Sequence, residues 1–381
     1  MKSICLVDFG YVVNSVGGAE RVLADLANNL YTRGYKITII ACEEKVGEPY
    51  YHINEGVKFY NISYSKELAL PVRILRKLFK IMRIDYGYVF NKRTINKKLS
   101  NIFKEEEVDL VINFFPADLC YVMANKPNNI PVIEMLHGSA RWLEKYLDST
   151  RDISIENRIR DVDVLHVLLP SYKEMLKKRF NNRIEAIPNI VPNMPRCNYA
   201  KKIVYLSRYD IDKQVHLLIE AFYKIAYRFP EWQLHVYGME YTKGYKQYCQ
   251  SLVQKYGLQK SAFLHESVDN VNRVLKDASV CAFPSKYEGF PLALTEAMSA
   301  GLPCIGYKSC SGVNELIIDG VNGFLVSDGI DSFAIKMAAL MGDEQLCRIM
   351  GTNATNIIKK YNEDLVINQW IELINSLGNK L

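Results

Sequence analysis

Nowhere in the 381 residues do eighteen apolar residues run together, so no segment has the length and hydropathy of a membrane-crossing helix. The opening stretch MKSICLVDFG enters a strand-like run without the long apolar core and cleavage site of a secretory signal, which sets the expectation of a cytoplasmic protein. The CxxC pair is missing too. Nine cysteines, an odd number, stand singly and mostly in apolar runs, where a thiol acts as a small hydrophobe. That pattern argues against a disulfide framework or a zinc site and suits a reducing compartment. There is no GxGxxG. The glycines of GYVVNSVGG, residues 10–18, have the wrong spacing, which disfavours a dinucleotide.

What is present is ordinary in bulk. Apolar residues make up 49% and charged residues 24%, so a globular chain is expected, and its length suits two domains. The net charge of +6 is unevenly spread: residues 66–104 hold eleven Lys or Arg against two Asp or Glu, leaving the remainder slightly acidic.

The pattern along the chain alternates. SICLVDF, YKITIIA, VDLVINF, IPVIEMLHG and DVDVLHVLLP read as buried strands. GGAERVLADLANNLYTRG has helical periodicity through Val22, Leu23, Leu26, Ala27 and Leu30. IPNIVPNMPRCNYAKK, residues 187–202, carries three prolines and no period, and reads as an interdomain linker. Strands then restart at KIVYLSRY, QLHVYG, SAFLHES, VCAFPS, LPCIGY and GFLV, with helices between the earlier ones, and the chain closes on helical EDLVINQWIELINSLG. Strands alternating with helices predict an α/β protein with parallel sheets covered on both faces. The expected domains are 1–190 and 191–361, followed by a helix at 362–381 that packs back on the first. Ligands of such sheets sit beyond the carboxyl ends of the strands.

Chemistry gathers at those ends. In SKYEGFPLALTEAMSAG, a strand is followed by a turn and a helix whose first position suits Pro291. The N–H groups around Gly289, Phe290, Pro291 and Leu292 make an anion-attracting helix terminus, and Gly289 allows close approach. Glu288 and Glu296, eight apart, are placed to hold hydroxyls on either side of a bound diphosphate. Arg208 and Lys213 in SRYDIDK follow another strand and suit the neutralisation of a leaving diphosphate. Gly17 and Gly18 open the first helix, and His137 ends a strand ahead of a glycine, where it can bond a sugar hydroxyl or share developing positive charge. Asn189 in IPNIV is a weaker candidate. The plain alternatives are a capping glutamate, surface cations and a structural histidine.

Taken in order, GGAER, HG after a strand, IPN, SRYDIDK, SKYEGFPLALTEAMSAGLPCIG, GVNELI and GVNGFLV resemble the retaining glycosyltransferases of family 4 over nearly the whole chain. The resemblance implies a GT-B fold: two doubly wound Rossmann-like domains with parallel sheets facing a central cleft. It implies transfer of a hexose from a nucleotide diphosphate sugar, a UDP-sugar by preference or GDP-mannose, to a lipid-linked or glycan acceptor such as a polyprenyl diphosphate. Carried over, Glu296 binds the ribose and Glu288 contacts the donor hexose. Arg208 and Lys213 hold the diphosphate, His137 faces the sugar, and Gly18 lines the cleft. The base rests near Gly238 and the segment 265–268, which includes Glu266. No cofactor or metal is expected. The family's glycines flanking the two cations are here Ser207 and Gln214, so the cations persist with altered backbone. KSCSGVNELI is more polar than the family's usual loop, which leaves the sugar open.

VRILRKLFKIMR places Arg73, Arg76, Lys77, Lys80 and Arg83 opposite Leu75, Leu78, Phe79 and Met82 on a helical wheel. This basic amphipathic helix is expected to meet an anionic membrane or an anionic acceptor. Nucleic acid is not expected, because no stacking platform accompanies the charge. Two rival readings are a non-catalytic sugar-nucleotide-binding subunit and a sugar-nucleotide epimerase.

Overall fold

The computed structural model describes residues 2–10, 12–13, 15–43, 47–62, 86–150 and 153–378. The basic residues Arg73, Arg76, Lys77, Lys80 and Arg83 lie outside them. The chain divides into two compact units, Met1–Ile187 with Ile367–Leu381, and Pro188–Val366, so the break falls at 187/188 instead of 190/191.

The first unit is built on seven strands: β1 (Ser3–Val7), β2 (Lys36–Ala41), β3 (Lys58–Asn61), β4 (Leu110–Asn113), β5 (Val132–Met135), β6 (Val164–Val167) and β7 (Arg183–Ala186). They form one parallel sheet in the order β3-β2-β1-β4-β5-β6-β7. The second unit holds β8 (Lys202–Leu206), β9 (Gln233–Tyr237), β10 (Ala262–His265), β11 (Val280–Phe283), β12 (Cys304–Tyr307) and β13 (Gly323–Val326), parallel in the order β10-β9-β8-β11-β12-β13. The architecture is therefore the pair of doubly wound domains that the alternation predicted.

The local reasons are simple. Interior strands are covered on both faces and so read as unbroken apolar runs; β1, β4, β5, β6, β11 and β12 are buried at every position. The helix Gly18–Thr32 turns Leu23, Ala24, Leu26, Ala27 and Leu30 inward. The last helix, Glu363–Gly378, joins the first unit from Ile367 onward, where Trp370 lies 4.7 Å from the His166 ring. Among the described residues no helix is long and apolar enough to cross a membrane.

The proline-rich segment expected as a linker has no regular structure but is packed. Val191 N–H donates to Tyr361 O, Met194 N–H to Ser299 Oγ and Cys197 N–H to Ala300 O, and Val191 and Met194 are buried. Its prolines remove N–H groups that no ladder could satisfy, and those of Val191, Met194, Cys197 and Asn198 find partners in the second unit.

Both sheets reverse their strand order once, between β1 and β4 in the first unit and between β8 and β11 in the second. In open α/β sheets the crevice at such a point is where ligands bind. The loops leaving β8 and β11 carry Ser207 to Lys213 and Ser285 to Pro291, so the motif residues of the second unit fall there by topology.

Candidate functional site

In the second unit the central pair is Lys213 and Glu288. The Lys213 ammonium lies 2.6 Å from Glu288 Oε1, with the two side chains 16% and 11% exposed. The loops that carry them are fastened together. The Tyr205 hydroxyl, fully buried in β8, donates to Lys213 O at 3.0 Å and lies 2.7 Å from Ser285 Oγ; Lys286 N–H donates to Asp212 O at 2.9 Å. Burial, with the charge of Glu288 adding to it, raises the Tyr205 pKa well above the ordinary phenol value, so the hydroxyl keeps its proton. This tie fixes a cation and a carboxylate contributed from opposite sides of the strand-order reversal.

Glu288 leads into the helix Leu292–Ser299. Pro291 is the residue before the helix (φ −70°, ψ 106°), not its first position as the sequence suggested. Its extended ψ turns the chain out of the loop, and the helix begins one residue later without a side-chain cap. Gly289, Phe290 and Pro291 are buried, Leu292 is half-buried, and Phe290 packs edge-on to Tyr361 with ring centroids 5.2 Å apart. Asn189 Nδ2 reaches Phe290 O at 3.4 Å, which gives that residue a supporting role in the loop. Glu296 sits just over a turn into the helix and is 4% exposed.

A neighbouring loop fixes the glutamate turn from the side. Gly312, at φ +86°, approaches so closely that a Cβ there would lie 2.6 Å from Gly289 O. Gly238 makes the same kind of approach at β9: a Cβ would lie 1.9 Å from Ser207 O.

Arg208 is exposed, with its guanidinium over the Tyr241 ring at 4.3 Å, and it makes no ion pair among the described residues. Gln214, which stands where the family has glycine, adopts the left-handed conformation (φ 52°, ψ 38°) between the Ile211–Lys213 turn and the helix Val215–Ala226. That conformation explains the glycine preference at this position. Glu266 is 79% exposed and paired with Lys246 at 2.5 Å.

In the first unit, Gly18 opens the helix Gly18–Thr32 and is exposed. The Glu20 carboxylate folds over Gly17 and occupies the space where a Cβ would stand. His137 follows β5 and stacks on Phe114, with centroids 4.9 Å apart. Its Nε2 is buried with no hydrogen-bond partner. Burial, aided by nearby His166, brings its pKa down to about 3, so the ring is neutral and acts by hydrogen bonding instead of carrying charge.

A set of buried acids that the sequence reading missed surrounds the β1/β4 reversal. Glu43 Oε1 accepts the N–H groups of Val12 and Val13 at 2.5 and 2.7 Å, and Asp8 Oδ1 that of Gly10 at 3.0 Å. Glu134 Oε2 accepts from Asn113 Nδ2 at 2.6 Å; burial raises its carboxyl well above the ordinary range. Asp118 accepts from Phe9 N–H at 3.1 Å, and burial pushes it up to about 7, the Phe9 bond opposing and the charge of Asp8 adding.

Asp118 sets a pH dependence. Its folded value lies above the unfolded value of about 3.9, so its stabilising contribution is complete below about pH 4 and is lost as pH rises through about 7. Asp118→Asn, which keeps a carbonyl for Phe9 N–H, is expected to make the fall in Tm between pH 5 and pH 8 shallower. Thermal melts across that range check this, and an unchanged slope removes Asp118 as its source.

Among the described residues no three His, Cys, Asp or Glu side chains are gathered in a way that could hold a metal ion.

A doubly wound pair of domains thus sets a carboxylate, a lysine and a helix start at the second reversal, where ligands of such sheets bind. Residues 16–192 match the model for Glycosyltransferase Family 4, and residues 195–357 that for Glycosyl transferases group 1. An amylovoran biosynthesis glycosyltransferase of Erwinia amylovora is 24% identical, with 98% of this chain and 99% of that protein covered. An exopolysaccharide phosphotransferase of Streptomyces coelicolor is 26% identical over the whole chain, which spans 41% of that protein's length. Among solved structures, a TarM mutant of S. aureus in complex with Fondaparinux, alpha-GlcNAc-glycerol and UDP superposes with a TM-score of 0.80 at 17% identity, covering 98% of this chain and 100% of that one. The chain belongs to the family 4 glycosyltransferases and has the GT-B fold.

Proposed function

We propose that the protein is a retaining hexosyltransferase that uses a UDP-sugar, with GDP-mannose the second choice, and needs no metal. The observation that carries this reading is the Lys213–Glu288 pair, held at the strand-order reversal beside the start of the helix Leu292–Ser299. The UDP named in the TarM structure supports the choice of nucleotide.

The chemistry follows from the side chains. Lys213, with Arg208, neutralises the diphosphate as the bond to the anomeric carbon breaks, and the helix N–H groups add partial positive charge. Glu288 holds the donor hexose and Glu296 the vicinal hydroxyls of the ribose. Neutral His137 hydrogen-bonds a sugar hydroxyl. In same-face substitution, the acceptor hydroxyl attacks from the side of the departing diphosphate. Its proton passes to a phosphate oxygen, so the anomeric configuration is kept without a covalent intermediate. A glycosyl adduct trapped on Glu288 would replace this mechanism with double displacement.

The acceptor is proposed to be a glycan or a lipid-linked sugar at the inner face of a membrane, approached through Arg73, Arg76, Lys77, Lys80 and Arg83. Failure of the protein to float with anionic vesicles at low salt would remove the membrane part alone.

The deciding experiment is a calorimetric panel of UDP, GDP and ADP and their hexose conjugates in the presence of EDTA, followed by NMR of the products. Binding of UDP at least tenfold tighter than GDP, with the α-configuration of the donor kept in the product, is expected. No heat with any nucleotide overturns the donor reading, and an altered sugar without acceptor points to an epimerase.

A further inference from the structure

The first unit carries an aromatic surface that neither its core nor the residues discussed above explain. The chain has three tryptophans; Trp232 and Trp370 are 4% and 3% exposed, whereas Trp142 is 51% exposed. Trp142 belongs to the helix Ala140–Thr150, whose packing stripe is Ala140, Leu143 and Leu147, all buried. At about 100° per residue, Trp142 and Tyr146 lie roughly 100° around the helix from that stripe. Their rings stack on each other, with centroids 5.3 Å apart and planes 11° apart. The two aromatics thus form a stacked pair one helical turn long, maintained outside the core although an exposed indole forgoes the free energy of burial.

Its position is fixed by the strand before it. The helix starts two residues after Gly138, and the N–H groups of Trp142 and Leu143 donate to Ser139 O at 3.0 and 3.2 Å. Trp142 therefore lies in the first turn leaving β5, at the sheet edge where His137 also sits and where ligands of such sheets bind.

We infer that Trp142 and Tyr146 form a stacking subsite for a saccharide ring of the acceptor. One face of a pyranose presents C–H groups that pack on an aromatic plane, while its hydroxyls remain at the rim within reach of charged side chains; Arg141 and Lys145 flank the pair and are exposed. The donor's diphosphate calls for cations at a strand-order reversal, and those candidates are Arg208 and Lys213 of the second unit. The uncharged ring of the other substrate matches this aromatic pair. A lipid bilayer is the competing occupant, and the vesicle arm of the test separates it from a saccharide. The inference rests on the transferase reading.

The test uses the protein's own reporter. With Trp232 and Trp370 buried, acrylamide quenching of intrinsic fluorescence reports Trp142, and Trp142→Phe must abolish most of the quenchable signal. The probes are maltotriose, chitotriose and lactose at millimolar concentration, with the donor nucleotide present. Protection of at least twofold by one of them is expected. Saturation-transfer NMR with that saccharide should show binding retained within about threefold in Trp142→Phe and lost in Trp142→Ala, while UDP calorimetry is unchanged in both. No protection by any of the three, or protection by phosphatidylglycerol vesicles in their place, overturns the subsite. If UDP still binds in that event, the donor reading survives; if UDP does not bind either, the transferase reading fails with it.

Discussion

Lys213→Ala is expected to lower kcat by on the order of 10²–10³ at saturating donor, read as UDP release from the UDP-sugar that the panel selects. The lysine is the cation held at the β8/β11 reversal, and its charge is needed most when the diphosphate departs. The substitution also leaves Glu288, only 11% exposed, without its 2.6 Å partner, so stability should fall. The two effects separate in a second variant. Lys213→Met combined with Glu288→Gln removes both charges, should recover most of the lost Tm, and should recover none of the activity. Recovery of activity along with stability would mean that the pair only holds the loops together.

Gly238→Ala is the second large effect. The added methyl would meet the Ser207 carbonyl oxygen at 1.9 Å and its carbon at 2.7 Å, both of them backbone atoms. No side-chain rotation relieves such a contact. The Ser207 N–H is itself bonded to Tyr237 O at 2.9 Å, so the strain spreads into the ends of β8 and β9. A destabilisation of about 2–3 kcal/mol is expected, together with at least a tenfold loss of UDP affinity, because the shift carries Arg208 with it. Chemical denaturation and calorimetry on the same sample measure both. Wild-type stability would show that the strand ends yield easily, and wild-type affinity would show that the nucleotide does not depend on this contact.

Much of this structure was legible in the residues because the physics is local. The six strands of the second unit were all marked by short apolar or alternating runs, and the five inner strands of the first unit by the same signal. β3 and β7 were missed. KFYN and RIEA are edge strands of four residues, each only partly buried, so they carry no apolar run. The helices Ile330–Gly342 and Glu344–Ala354 also escaped notice. The first is apolar around much of its circumference and shows little contrast between its faces.

The site divides in the same way. Glu288, Arg208 and Lys213 were visible because charged residues soon after apolar strands are conspicuous, and Glu296 because it stands eight residues from Glu288. Tyr205 and Ser285, which join the two loops, were not: within KIVYL a tyrosine looks like one more core residue. Glu134 and Asp118 looked like ordinary acids, and only burial revealed their raised pKa values. The pairing of Glu266 with Lys246 was likewise not visible, since twenty residues separate them.

By itself, then, the sequence determined the kind of protein: two parallel α/β domains, a family 4 motif set, and the helix start beside which Glu288 stands. Those properties follow from residue type, period and neighbours within a few positions. The tertiary structure alone decided that Lys213 meets Glu288 across seventy-five residues, that His137 is neutral, and that Trp142 remains outside the core. Each of these depends on long-range packing, the first two also on the low dielectric that burial creates, and none is encoded in any short stretch of the chain.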